Sequence, residues 1–433
     1  MLLAHRIRLD PTPEQREYFL RAAGTARRVW NWALAEWQKA NALGTPANVF
    51  YLKKCFNAIK YSDPAWLSDE GHPWLREIHR DAHSQPFTNL SRALARQSEA
   101  KRKGERVHIL RFKKKGRCRD CFYLANDKFR IEGREAVLPK IGRIAICENL
   151  RFAGKIMGAT VSRQADHWYL SVHVELSDVD TKKSRVGADV VGLDLGITTA
   201  VTLSTGEKIA GPRPLERALR SLRIRNRRHS RKLNLSHCGP EPDGEQQRVQ
   251  YPIKSRNAVK ASEKVARLYA RTTHIRNDWT HRLTTRLCRE NQAIAIEDLN
   301  VQSILRNWKK LARAINDIGW YRIRSQLTYK AMRYNVLLVI ADRWYPSSKV
   351  CSNCQTKFDG LVLAVREWTC STCAAIHDRD INAARNLAWL ATSALAAHTA
   401  LPVASLVVTP GTAATQLVAA GGKVTPVRDE YGL

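Results

Sequence analysis

A chain of 433 residues is too long for one ordinary hydrophobic core, and its 44% hydrophobic content excludes disorder throughout, so several folded modules are expected. Lys and Arg total 72 against 40 Asp and Glu, a formal net charge of +32 that would repel itself at low salt without an anionic partner. Nucleic acid is the expected partner, ahead of an anionic membrane surface. Charge arrives at His5-Arg6, too early for a secretory signal. No uninterrupted apolar run reaches membrane-spanning length; residues 387–408 come closest, but hold His398 and break at Pro402. A cytoplasmic, nucleoid-associated protein without a membrane partner is therefore expected, and its ten cysteines favour metal ligation over disulfides.

In chain order, His5 to Leu9 alternate as a short strand, and after Pro11 and Pro13 a helix is predicted from about Glu14, with Phe19, Leu20, Ala23, Val29, Trp30 and Trp32 on its apolar face. Further helices are predicted over residues 52–59 and 87–100, so the first hundred or so residues read as mostly α. The basic stretch Arg111, Lys113, Lys114, Lys115, Arg117 and Arg119, interleaved with Phe112 and Phe122, is a candidate nucleic-acid contact. Residues 129–131 and 136–138 then read as a hairpin and 167–174 as a longer strand, a small β-barrel-like module of a kind that binds nucleic acid on one face. Residues 178–188 read as a polar linker, and 190–203 as two strands around a tight turn.

A helix follows with Leu215, Leu219 and Leu222 on one face and Arg217, Arg220, Arg223, Arg225, Arg227 and Arg228 around the rest. A Gly/Pro/Gln-rich stretch over 238–252 reads as a loop. A second helix is predicted over 257–289, burying Leu268, Ile275, Trp279, Leu283 and Leu287 and presenting Lys260, Lys264, Arg267, Arg271 and Arg282. A solvated face is the bland reading of such a helix, but polar faces this uniformly cationic suit phosphate. A strand (293–296), a helix (320–334), a strand (336–340), a cysteine-rich segment and a helix from about Ile381 complete the predicted order, with little core-forming pattern beyond Pro402.

Three acids stand in distinctive contexts: Asp194 in Gly192-Leu193-Asp194-Leu195-Gly196, Glu297 ending Ile294-Ala295-Ile296, and Asp380 in Asp378-Arg379-Asp380-Ile381-Asn382-Ala383-Ala384. Each has a bland alternative: a turn start, a helix cap or surface charge, and a helix-dipole partner. Their spacing, a strand pair, a parallel strand after a long basic insertion and then a terminal helix, is what an RNase H-like sheet needs to bring them to one edge. Carboxylates there can hold two Mg²⁺ (or Mn²⁺) ions for phosphodiester cleavage. Cys351-x2-Cys354 and Cys370-x2-Cys373 match a closed, structural Zn²⁺ ribbon. A third pair, Cys118 and Cys121, has no second knuckle and reads as small residues in a basic segment.

With Trp344-Tyr345-Pro346-Ser347-Ser348-Lys349-x-Cys351, Leu9-x-Pro11-Thr12-x-Glu14-Gln15, Arg28-x-x-Asn31-x-Ala33-Leu34 and Arg111-Phe112-Lys113-Lys114-Lys115-Gly116, these motifs resemble the TnpB family over roughly residues 1–395. TnpB proteins are transposon-encoded, described as transposases, and related to type V CRISPR effectors. The resemblance implies an RNA-guided, Mg²⁺-dependent DNA endonuclease that pairs a transposon-derived guide RNA with target DNA beside a short flanking motif. It implies a multidomain α+β chain: a first wedge strand (1–10), a helical recognition lobe (11–104), a β-barrel-like wedge domain (105–180), an RNase H-like (RuvC) α/β nuclease domain in two parts (187–344 and 377–400) around a zinc ribbon (345–376), and a flexible tail (401–433). It makes Asp194, Glu297 and Asp380 the catalytic, magnesium-binding acids and the four cysteines zinc ligands, in a protein expected to act as a monomer on its RNA. A protein-only transposase and a non-catalytic nucleic-acid-binding regulator are the alternatives.

Overall fold

The computed structural model describes residues 1–45, 48–177, 189–234, 255–362 and 365–398. The polar linker over 178–188, the loop over 238–252 and the tail beyond Pro402 lie outside the described residues. The chain divides into two compact units at Ser177–Asp178.

In the first unit, strand β1 (Leu2–Asp10) leads into helix α1 (Pro13–Ala42). Thr12 caps that helix reciprocally with Gln15, and Pro13 stands where its missing N–H goes unmissed. The helix buries Phe19, Ala22, Ala23, Thr25, Val29, Trp30, Ala33 and Leu34; Leu20, expected inside, is exposed, its place being taken by small residues that let neighbours approach. Helices α2 (Val49–Ile59) and α3 (Arg80–Arg102) complete an aromatic-rich cluster around Phe56, Trp66 and Phe87. Helix α3 starts before Pro86, not after it as the proline suggests. The lost backbone hydrogen bond is tolerated where Pro86 and Phe87 are both buried.

The remaining strands of this unit are β2 (Cys121–Ala125), β3 (Arg130–Glu132), β4 (Glu135–Leu138), β5 (Gly142–Ile146), β6 (Lys155–Gln164) and β7 (His167–Glu175). With β1 they form an antiparallel sheet in the order β2-β6-β7-β1-β5-β4-β3. The hairpin between β3 and β4 turns at Gly133, whose φ of +57° is the left-handed conformation glycine adopts freely. Among the described residues the ladder ends at β2 and β3 and does not close on itself, unlike a barrel.

The second unit centres on a sheet ordered β10-β9-β8-β11-β12, from β8 (Asp189–Asp194), β9 (Val201–Leu203), β10 (Lys208–Ile209), β11 (Asn291–Glu297) and β12 (Leu337–Ala341). Strands β8 and β9 are antiparallel, joined by a six-residue loop (195–200) where a tight turn was expected. Strands β8, β11 and β12 are parallel, as their long connections require. The connection from β10 to β11 runs through helices α4 (Pro214–Asn234) and α5 (Arg256–Glu290); that from β11 to β12 runs through α6 (Val301–Asn307), α7 (Ala312–Ile318) and α8 (Trp320–Tyr334). Two short strands, β13 (Glu367–Thr369) and β14 (Ile376–Asp378), precede α9 (Arg379–His398).

Alternation decides which face each residue takes. Ile294 and Ile296 turn to a core shared with Leu283, Leu287, Ile323 and Leu327, while Ala293 and Ala295 turn to Leu387 and Ala391 of α9. Helix α5 buries Leu283 and Leu287 but otherwise mostly Ala and Thr (Ala258, Ala261, Ala270, Thr272, Thr280, Thr284); Ile275, expected inside, is 40% exposed. Arg276 forms a buried pair with Asp317 at 3.0 Å, and Asp317 also accepts from the Leu215 and Glu216 amides at the start of α4. Asp317 thereby fixes α4 to α5.

Candidate functional site

The α9 face of the second sheet gathers the three acids. Asp194 shares the face of Gly192, and Glu297 the face of Ala293 and Ala295; the parallel register pairs Leu193 with Ile296, so the two acids end adjacent strands at the same level. Gly192 is where α9 lands. A Cβ there would sit 1.9 Å from the Ala384 carbonyl oxygen and 2.4 Å from the Ala388 amide nitrogen. Only glycine admits the helix that carries Asp380 in its first turn. The Trp320 indole donates to the Gly196 carbonyl at 3.3 Å and fixes the chain just beyond Asp194.

Capping of α9 falls to Asp378, whose Oδ1 accepts from the Asp380 and Ile381 amides at 3.1 and 3.0 Å. Asp380 is thus not needed as the cap; its carboxylate lies 3.4 Å from Arg366. Likewise Asp298, not Glu297, pairs with Arg324 and Arg343. Burial, then the charges of Glu297 and Asp380, push the Asp194 carboxyl well above the ordinary range. Burial also raises Glu297, opposed by a hydrogen bond from Ser347. Half-buried acids that repel one another are what a bound cation relieves. Their oxygens spread more widely than a single-ion cage: among the described residues, the four cysteines are the only set of three or more His, Cys, Asp or Glu ligand atoms all within 4.8 Å of one another.

The cysteines form two like-shaped knuckles. Cys351 N bonds Thr356 O and Cys370 N bonds Ala375 O, both at 2.9 Å. The residue after the second cysteine of each knuckle, Gln355 or Ala374, takes the left-handed conformation (φ +62° and +60°). Cys351 Sγ lies 3.7 Å from Cys373 Sγ, and Cys354 Sγ 3.6 Å from Cys370 Sγ. Thr356, through its hydroxyl and its amide, lowers the Cys354 thiol to about 6, while burial pushes Cys351 up to about 11. Four thiols in this arrangement fit a tetrahedral zinc site with no open position. His377 approaches Cys351 Sγ at 3.0 Å and packs on Trp368. Cys118 and Cys121 join no such group among the described residues.

Ribbon and acids are joined by two asparagines of α9. Asn382 accepts from the Ser352 amide at 2.9 Å and donates to the Val350 carbonyl at 2.7 Å. Asn386, fully buried in α9, donates to the Ser347 and Val350 carbonyls at 2.7 and 2.6 Å. Their signal was an Asn-x3-Asn spacing that puts both amides on one face of a helix.

The expected basic contacts are on the surface. Arg220, Arg223, Arg227, Arg228, Lys264 and Arg271 are all exposed on α4 and α5. In the first unit Lys114, Lys115 and Arg117 are exposed, whereas Lys113 is half-buried with its ammonium 4.1 Å from the centre of the Trp30 ring. The segment is strapped to α1: Asn31 exchanges two hydrogen bonds with the Lys113 backbone (2.9 and 2.7 Å), and Trp30 donates to the Arg111 carbonyl at 3.3 Å. Among the described residues no helix is long and apolar enough to cross a membrane.

Family models match three stretches: a helix-turn-helix domain over 1–44, a "Probable transposase" model over 171–307, and the TNB domain of Cas12f1-like proteins over 320–387. Over 1–44 the chain here is one strand and one continuous helix. A Streptomyces pristinaespiralis protein named "Putative RNA-guided DNA endonuclease" is 37% identical over 397 residues, 90% of each chain. An Escherichia coli K12 protein given the same description is 27% identical over 402 residues, covering 89% of this chain and 91% of its own. Among solved structures, a Cas12f1–sgRNA–target DNA complex aligns over 87% of this chain and 83% of its own, with a TM-score of 0.51 at 13% identity, and shows a shared multidomain α/β fold.

Proposed function

The chain belongs to the TnpB family, and from that membership together with its acidic site we propose that it is an RNA-guided DNA endonuclease. The observation that carries the chemistry is the convergence of Asp194, Glu297 and Asp380, from two strands and a helix, at one sheet edge where burial and mutual repulsion call for a cation. Two Mg²⁺ ions bound there would supply the charge that activates a water and stabilises the leaving oxygen of an in-line phosphodiester cleavage. The three carboxylates hold that position, Ser347 orients Glu297, and Gly192 lets α9 bring Asp380 in. Acids at the ends of two adjacent parallel strands and in the first turn of a helix support a RuvC-like assignment for 187–344 and 377–400, with the zinc ribbon at 345–376 as a structural clamp. In the first unit, residues 11–104 would serve as recognition lobe, and β1 with 105–180 as wedge. Base pairing with a guide supplies sequence specificity, so the protein needs mainly backbone contacts; Lys113, Lys114, Lys115, Arg117, Arg220, Arg223, Arg227, Arg228, Lys264 and Arg271 are the proposed ones.

The transposase description of the 171–307 match supports a second reading, strand transfer without a guide. Expressing the protein with its flanking transposon DNA and sequencing the RNA that co-purifies separates the two. A discrete RNA running from the element's end into neighbouring sequence supports guided cleavage; purification without a specific RNA leaves the protein-only transposase.

A further inference from the structure

Trp344 is 85% exposed, more than any other large apolar side chain among the described residues. An indole so placed on a mobile loop would mean little, but this turn is tied down at both ends beside the acids. Before it, Arg343 donates to Asp298 Oδ2 at 2.8 Å; after it, Ser347 donates to Glu297 Oε1 at 2.6 Å. Within the turn, the Trp344 amide bonds Asp342 Oδ1 at 2.8 Å, and the Tyr345 amide bonds the Asp342 carbonyl at 3.0 Å. Tyr345 packs inward on the α9 cluster while its neighbour points out. A shallow cleft at the foot of Trp344 is lined by Asp298, Arg324, Ile340 and Arg343.

An uncovered indole on an anchored turn beside the acids matches the chemistry of an unpaired nucleobase, which stacks on aromatic side chains. An unpaired strand reaching the acids brings bases that have lost their stacking partners and gain one on an aromatic face. Resting on the endonuclease reading above, we propose that Trp344 is a stacking platform for a base of the strand being cut, holding the adjoining phosphate in register with Asp194, Glu297 and Asp380. It is a positioning and binding residue and takes no part in the bond exchange.

The test uses full-length protein with its co-purified RNA, silenced by Asp194→Ala so that binding is read apart from cleavage. The probe is a short unpaired oligodeoxynucleotide and a set of copies each carrying one abasic position. Trp344→Ala should weaken binding by about 5- to 150-fold, the range for one aromatic–base stack. Trp344→Phe should retain most of the affinity, and Trp344→Leu, apolar but without the π-face, should not. One abasic position should weaken binding to the Trp344 protein and cost nothing further in Trp344→Ala, as two changes removing a single contact do. Equal binding by Trp344→Ala and its parent would overturn the proposal. So would an abasic penalty of the same size in both, because Trp344 would then act through the fold. Zinc content and melting temperature confirm that each variant is folded. Failure of the otherwise unmutated protein to cleave would count against the endonuclease reading alone, since the stacking measurement does not depend on cleavage.

Discussion

The Ser347 hydroxyl donates to Glu297 Oε1 at 2.6 Å, and the Ser347 carbonyl accepts from Asn386 of α9 at 2.7 Å. One residue thus ties the acid that ends β11 to the helix that brings Asp380, four residues before the first zinc knuckle. Ser347→Ala should leave fold and zinc content intact and raise the Mg²⁺ concentration needed for half-maximal cleavage by about 10- to 100-fold, the usual effect of removing a group that orients a metal ligand. Titration of the cleavage rate with Mg²⁺ checks this, and an unchanged midpoint would show that Ser347 does not orient Glu297.

Gly192→Ala should do more damage than its one methyl group suggests. The new Cβ would meet backbone of α9 at 1.9 and 2.4 Å, and backbone cannot swing aside as a side chain can. The helix must move, and Asp380 with it. Destabilisation of at least about 1–3 kcal/mol is expected from overpacking, with loss of cleavage in whatever protein remains folded. Denaturant unfolding beside a cleavage assay measures both, and near-parent values in the two would contradict the packing described here.

Without a divalent ion, the raised carboxyls of Asp194 and Glu297 make stability depend on pH. A carboxyl whose folded pKa exceeds its unfolded value holds extra protons in the folded chain. Its contribution is therefore full below the ordinary carboxylate range and is lost as pH rises through the folded value. Metal-free protein should lose melting temperature over that rise, and Mg²⁺ should restore it. Asp194→Asn should flatten the metal-free profile, and a metal-free profile that climbs with pH and is unaffected by Asp194→Asn would contradict the assignment.

Cys351→Ser should release the zinc and loosen the knuckle whose flanks Asn382 and Asn386 hold, displacing α9 and abolishing cleavage. Elemental analysis and a cleavage assay report on the two ends of that chain of contacts. A zinc-free variant that cleaves at the parent rate would separate the ribbon from the acids.

The strand-and-helix order of the second unit was legible because its core obeys simple periods: Ile294 and Ile296 alternate with Ala293 and Ala295, and 320–334 is a helix in the structure as in its pattern. The acids were legible as a candidate site from the order of a strand pair, a parallel strand and a terminal helix, whereas the register that sets Asp194 level with Glu297 is a long-range fact. Elsewhere packing overrides local chemistry. Pro86 sits inside α3, and Ile275 is exposed on a helix that buries alanine and threonine instead. Ser347, Asn382, Asn386 and Asp317 were unreadable as functional supports because each acts through a partner distant in sequence.

The strapped segment beside α1 refines the expectation for its lysines. Lys114 and Lys115 are exposed, whereas Lys113 lies over Trp30. Replacing Lys114 and Lys115 with Ala should lower the salt slope of nucleic-acid binding by roughly 0.7–0.9 per lost phosphate contact, whereas Lys113→Ala should act mainly by loosening the strap. Affinity measured across a salt series checks this, and an unchanged slope in the double variant would remove the segment from the contact surface.

The most direct test of the central claim is guide-directed cleavage by purified protein loaded with an RNA whose targeting segment has been replaced. The account predicts Mg²⁺-dependent cutting of DNA that matches the new segment, none of DNA that matches the old, and none by Asp194→Ala loaded with the same RNA. Cutting that ignores the guide, or that survives Asp194→Ala, would contradict it.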